Sequence, residues 1–180
     1  MVFDYSPAPV PGTAVDLRPV YGPFIGGEFR TSGGTAAVGN PATGAVLTEV
    51  VQADSADVDA AVDAASAALS GGWGSAPGRD RARHLYLLAS LLAERSPELA
   101  LLETLDSGTP IRQCRGTSLP LAAETCFYYA GWADKLRHAR RQDAPDGAEP
   151  RPMGVVALLV ADPVPLPTLI RKIAAALACG

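Results

Sequence analysis

Little in this sequence points to metal, disulfide or nucleic-acid chemistry. Its 180 residues hold only three cysteines and two histidines. Cys114, Cys126 and Cys179 have no paired spacing, which argues against a disulfide framework and against a local metal set. His84 and His138 stand too far apart to form a local ligand pair. There is no basic surplus: the net charge is -4, and the short run Arg137–Arg141 is soon followed by Asp143, Asp146 and Glu149. Neutralising phosphates would need the opposite balance, so nucleic-acid binding is poorly supported. No apolar run approaches a bilayer span, and the first residues, MVFDYSPAPVPG, lack both the basic start and the apolar stretch of a secretory leader. The glycine pairs at 26–27, 33–34 and 71–72 do not lie between a buried strand and a helix, and no Gly-Lys-Ser/Thr follows. A phosphate loop is therefore not expected. The expectation is a cytoplasmic globular protein with neither membrane nor nucleic-acid partners.

What the chain does contain is apolar residues, at 48%, divided by 18 glycines and 16 prolines that follow no repeat. Such a composition belongs to a folded chain with many turns. Residues 1–20 carry four prolines and read as an extended or disordered arm, and residues 21–180 as one folded unit. Tyr21–Phe29 reads as a hairpin turning at Gly26–Gly27, residues 31–37 as a loop, and Asn40–Gly44 as a turn before a strand at Ala45–Val51. Asp54 or Ser55 caps the next helix, with Val58, Ala61 or Val62, Ala65 and Leu69 as its apolar stripe and Gly71–Gly72 as its stop. A second helix runs from Arg79 to about Arg95, burying Leu85, Leu88 and Leu92. A third follows the cap Ser96-Pro97-Glu98, turns Leu99, Leu102 and Leu105 to the core, and ends at Gly108. A fourth, Leu119 to about Arg137, carries Phe127, Tyr128, Tyr129 and Trp132, an aromatic set that needs a large partner surface.

Gly154–Gly180 reads as a strand–turn–helix unit. Val155–Val160 is a run of six apolar residues, long enough for a strand buried on both faces. A loop with Pro163, Pro165 and Pro167 leads to a helix whose stripe is Leu169, Ile173, Ala176 and Leu177. One strand and its helix do not make a parallel sheet, so the strand's two edges call for neighbours from elsewhere.

The segments YGPFIGGEF, NPATGAVLTEV, ADSADVDAAVDAA, LLETLDSGTPIR, LPLAAETCFYYAGWADKL and PMGVV…KIAAALACG, in this order, resemble the amino-terminal part of an aldehyde dehydrogenase of a bacterial branch. The resemblance runs from about residue 3 to residue 180. It implies an α/β fold: short amino-terminal strands, outer helices, and the first strand–loop–helix of an incomplete Rossmann-like cofactor domain. It also implies that the family's lysine, glutamate and nucleophilic cysteine would follow Gly180. NAD or NADP belongs to full-length relatives, and no cofactor is expected for this chain. Aligned without a gap from Gly154 to Gly180, Ala161–Pro165 falls on the family's Pro-Trp-Asn-Phe-Pro loop. Pro163 then occupies the position of the oxyanion-holding asparagine and Asp162 that of the tryptophan, with Val160 at the cofactor-adjacent end of the strand. Proline has no side-chain donor and no N–H, and an oxyanion donor elsewhere is worth roughly 3–4 kcal/mol. Among the remaining candidates, Cys179 is expected in buried packing, Cys126 in the core, and Cys114, between Arg112 and Arg115, as the exposed thiol. His84, His138 and Lys172 are expected to be structural or solvated, and Arg171 to face solvent. The resemblance thus suggests a catalytically inactive member of the family. Its partner would be a second copy of itself or a full-length aldehyde dehydrogenase.

Overall fold

Turn chemistry sets the amino-terminal third. The computed structural model describes residues 15–31, 33–138, 145, 148–160 and 165–180. Strands β2 (Phe24–Ile25) and β3 (Glu28–Phe29) form the expected hairpin, with Phe24 opposite Phe29. Gly26 and Gly27 both adopt positive φ, 63° and 94°, which a two-residue hairpin turn demands and a Gly-Gly pair supplies without strain. A separate three-stranded sheet has the order β1–β5–β4, built from Val20–Tyr21, Val46–Val51 and Thr35–Gly39. β1 runs parallel to β5 and β4 antiparallel to it. Strand β4 corrects the loop expected over 31–37: Thr-Ala-Ala-Val has little apolar contrast, but β5 gives it a ladder partner, with Ala36 opposite Val50. The Asn40–Gly44 turn is as expected, the Asn40 carbonyl accepting from the Gly44 amide at 2.7 Å.

Helix α1 (Ser55–Ala68) starts at a capping box. The Asp57 amide donates to Asp54 Oδ1 at 2.9 Å, and the Asp54 amide to Asp57 Oδ2 at 3.4 Å. Its expected apolar stripe is not buried: Val58 is 57% exposed and Val62 also faces outward. The helix leans mainly on β2 and on the turn Leu69–Trp73, in which Gly72 takes a φ of 133°.

The core is helical. Helices α2 (Gly78–Glu94), α3 (Ser96–Ser107), α4 (Ile111–Gln113), α5 (Leu119–Ala133) and α6 (Leu166–Cys179) follow in order. α5 packs against both α2 and α6. The buried set is Ala82, Leu85, Ala89 and Leu92 from α2, Ala122, Ala123, Cys126, Ala130 and Ala133 from α5, and Ile170, Ala174 and Ala178 from α6. Small residues let these helices approach closely; a Cβ on Gly78 would lie 2.2 Å from the Ala133 carbonyl oxygen. The aromatic side of α5 points the other way, with Phe127, Tyr128 and Trp132 exposed. α5 also stops at Ala133, short of Arg137, and a 3-10 turn at Leu136–His138 follows.

Three further expectations are corrected. Ser96 is the first residue of α3, not its cap; Arg95 precedes it and pairs with Glu98 at 2.7 Å. The buried stripe of α6 is Ile170, Ala174 and Ala178, one position out of phase with the expected one: the apolar arc away from Arg171 and Lys172 is broad, and α2 and α5 cover the edge of it that carries Ala174 and Ala178. The strand expected at Val155–Val160 is absent. The segment belongs to no helix or sheet, and Leu159 is 84% exposed. A strand is defined by a partner's ladder, and no neighbouring strand lies beside it among the described residues.

Candidate functional site

The region of interest is the approach to α6. Asp162 and Pro163, the positions aligned with the family's tryptophan and asparagine, lie outside the described residues. Val160, on the near side, is exposed at the end of the preceding segment. On the far side Pro165 stands at the N-cap of α6 and Pro167 in its first turn, as expected, while Arg171 faces solvent. The ammonium of Lys172 donates to the Leu159 carbonyl, tying that segment to α6. That gives Lys172 the structural role expected of it.

An open cleft of about 1000 Å³ lies between the turn at 74–79, the segment 150–158 and the last turns of α6. Arg79, Arg81, Asp134, Arg151, Lys172 and Cys179 are among its functional groups. Arg81 is buried at 9% exposure and held by two backbone carbonyls. Its Nε donates to the Ala178 carbonyl at 3.1 Å and its Nη1 to the Ala76 carbonyl at 2.5 Å.

The two outlying cysteines exchange their expected roles. Cys179 is exposed and lines the cleft, because it falls on the side of α6 opposite Ala174 and Ala178. Cys114 is completely buried. A wide turn at Cys114–Ser118 folds its thiol inward, where it accepts from Thr104 Oγ1 at 3.4 Å and faces the Thr109 carbonyl at 3.7 Å. Cys126 is in the core as expected, and burial pushes its thiol pKa up. Neither histidine lines the cleft with Cys179. His84 is exposed, its Nδ1 2.8 Å from the Asp80 carbonyl oxygen and its ring edge-on to Trp73; His138 is exposed in the 3-10 turn. Among the described residues no group of His, Cys, Asp and Glu could hold a metal ion, and no helix is long and apolar enough to cross a membrane.

A second, apolar groove of about 370 Å³ runs between the three-stranded sheet and helices α3 and α6, lined by Tyr21, Val38, Val50, Leu102 and Leu166 among others. The sequence reading missed one residue here, Glu103. Its Oε1 accepts from the Leu166 amide at 3.4 Å, and its Oε2 is buried with no hydrogen-bond partner among the described residues. An acid set within the Leu99, Leu102, Leu105 series was the available signal.

This contact bears on the nucleotide. A helix N-terminus is a natural seat for a pyrophosphate, but at α6 a carboxylate already stands there and Pro167 removes one N–H. The described residues do not fit a dinucleotide's phosphates at this helix.

A small mixed sheet with flanking helices and a segment leading into α6 is consistent with the amino-terminal part of a Rossmann-like dehydrogenase. Comparison with known proteins narrows this. The model of the aldehyde dehydrogenase family matches residues 29–180, and the chain belongs to that family. It is 37% identical to the mitochondrial 10-formyltetrahydrofolate dehydrogenase of Mus musculus over 190 aligned positions, covering all of this chain and 20% of that enzyme. It is 41% identical to the aminoacetaldehyde dehydrogenase of Pseudomonas aeruginosa, covering 87% of this chain and 33% of that one. Among solved structures, the indole-3-acetaldehyde dehydrogenase AldA of P. syringae, in complex with NAD+ and IAA, superposes with a TM-score of 0.81 at 31% identity, covering 92% of this chain and 34% of that one. The chain spans about a fifth to a third of the length of these curated relatives.

Proposed function

We propose that this chain is a non-catalytic member of a family whose reaction is the NAD(P)-dependent oxidation of an aldehyde to a carboxylic acid. In that reaction a cysteine adds to the aldehyde, hydride passes to the nicotinamide, and activated water releases the acid. The observation that carries the reading is the state of the thiols. Cys114 and Cys126 are sealed in packed helices, and Cys179 opens onto a cleft that neither histidine lines. The alignment of Pro163 with the oxyanion asparagine supports it further, since proline offers no donor there. The test is NAD(P) reduction by the purified chain with a panel of short and aromatic aldehydes. No turnover is expected from the wild type or from Pro163→Asn. Turnover that rises with Pro163→Asn would overturn the proposal and point to a site completed by a second polypeptide.

A second reading rests on its own observation. Met153, Val155, Val156, Leu159 and Val160 form an exposed apolar run that belongs to no sheet, a segment that a partner's sheet edge could take up as an added strand. On this reading the chain is an interaction module, docking on a full-length aldehyde dehydrogenase or a second copy of itself. Size-exclusion chromatography with light scattering, on the chain alone and mixed with a full-length homologue, decides it. A stable complex supports docking, and a lone monomer in both runs rejects it.

A further inference from the structure

Helix α6 has no side-chain cap of its own, and its C-terminus closes on a backbone bond, the Gly180 amide donating to the Leu177 carbonyl at 3.3 Å. Pro165, at its N-cap, has no side-chain acceptor, and the last turn holds no basic residue. Accounting for the backbone shows what takes their place. In the first turn, Thr168 and Leu169 donate to the Pro165 carbonyl, at 2.9 and 3.3 Å, and Pro167 has no N–H to satisfy. That leaves the Leu166 amide, which a buried helix end would orphan. Glu103 of α3 accepts it from 63 positions away. At the other end the Ala178 carbonyl accepts from the buried guanidinium of Arg81 of α2, 97 positions away. The signs suit the helix dipole, an anion at the positive end and a cation at the negative end.

We propose that Glu103 and Arg81 are positioning residues that hold α6 at its two ends, so that tertiary partners set the placement of this helix. Through Lys172 and the Leu159 carbonyl, the helix passes that placement on to the segment ending at Val160. The arrangement explains why a helix preceded by proline and lacking side-chain caps is nevertheless docked with Ile170, Ala174 and Ala178 buried. It also assigns a use to an acid set among leucines and to a buried arginine whose described hydrogen bonds go to backbone carbonyls. The inference does not depend on whether the chain is catalytic or docks a partner.

The test is amide hydrogen exchange on the intact chain. Glu103→Leu is expected to speed exchange at Leu166 and its first-turn neighbours about tenfold or more, leaving Leu85 and Cys126 protected as in the wild type. Arg81→Met should do the same to the last turn, Ala176 to Cys179. Glu103→Gln keeps an acceptor and should restore most of the protection; Glu103→Lys, a cation at the positive end, should be worse than Glu103→Leu. A uniform rise along the chain, or no rise at α6 in Glu103→Leu, overturns the proposal. If Glu103→Leu does not fold, Glu103→Gln and Arg81→Lys decide it. A modest rise confined to the respective helix end supports it, and wild-type protection in both rejects it.

Discussion

Arg30 reaches Asp57 across 27 positions, its Nη1 donating to Oδ1 at 3.0 Å, while the other oxygen of the same carboxylate serves the capping box of α1. One side chain thus starts the helix and ties it to the end of the hairpin. This matters because α1 has no buried residue to hold it. Asp57→Ala should cost about 1 kcal/mol, from the return bond of the capping box and the lost charge at the positive end of the helix dipole, with little from a half-exposed ion pair. Arg30→Ala should cost less than about 1 kcal/mol. Urea unfolding of the two variants checks the order; a larger loss from Arg30→Ala would mean the pair, not the cap, anchors the helix.

Leu85 is 1% exposed in the α2/α5/α6 core, whereas Val58 belongs to an apolar pattern that the fold leaves in solvent. Leu85→Ala should destabilise by about 2–5 kcal/mol, the range for a leucine deletion that leaves a cavity. Val58→Ala should stay within about 0.5 kcal/mol. Thermal or denaturant melts of both are sufficient, and comparable losses would mean that α1 is packed more deeply than described here.

These two residues also mark where sequence reading succeeds and where it stops. A helix cap at Asp54 or Ser55, the Gly26–Gly27 turn and the proline and glycine punctuation of the helices are local chemistry and were legible, while the choice of Asp54 and its return bond from Asp57 came from the structure. The inner face of α6 was not, because its apolar arc is wider than the contact, and packing against α2 and α5 selects which edge of the arc is buried. Strand β4 depends on a ladder partner that its own small residues do not announce. Thiol exposure failed for the same reason: Cys114 looks exposed beside Arg112 and Arg115, and only the wide turn after it carries the sulfur inward. Of the candidate site, the structural role of Lys172 was legible, while Glu103 emerged only from counting the backbone donors of α6.

Gly78→Ala offers a test in which two effects oppose each other. Helix propensity favours alanine by about 1 kcal/mol, but the new methyl would meet the Ala133 backbone, which cannot swing aside. Overpacking of this kind costs about 1–3 kcal/mol, so net destabilisation is expected. Gly116→Ala is the control, since nothing lies within 4 Å of its Cβ position. It should be neutral or slightly stabilising. A stabilised Gly78→Ala variant would show that α2 and α5 are farther apart than this packing requires.

The thiols make the last prediction, and its sign can be worked out. Cys179 is exposed while Cys114 and Cys126 are buried, so a thiol reagent should label one cysteine quickly in the native chain and all three after denaturation. The rapid label should vanish in Cys179→Ser and persist in Cys114→Ser. Burial raises the Cys126 pKa above the ordinary 9.0 of a free thiol, so the folded state retains that proton at pH values where the unfolded chain has lost it. The stability linked to this proton is therefore fully present below the unfolded thiol's pKa. It is lost as the pH climbs from there through the folded thiol's higher value. Cys126→Ala removes this contribution, and its unfolding free energy should fall less steeply than the wild type's on the alkaline side. Equal alkaline slopes in the two proteins would place Cys126 in contact with water, and with it the seam between α5 and its neighbours.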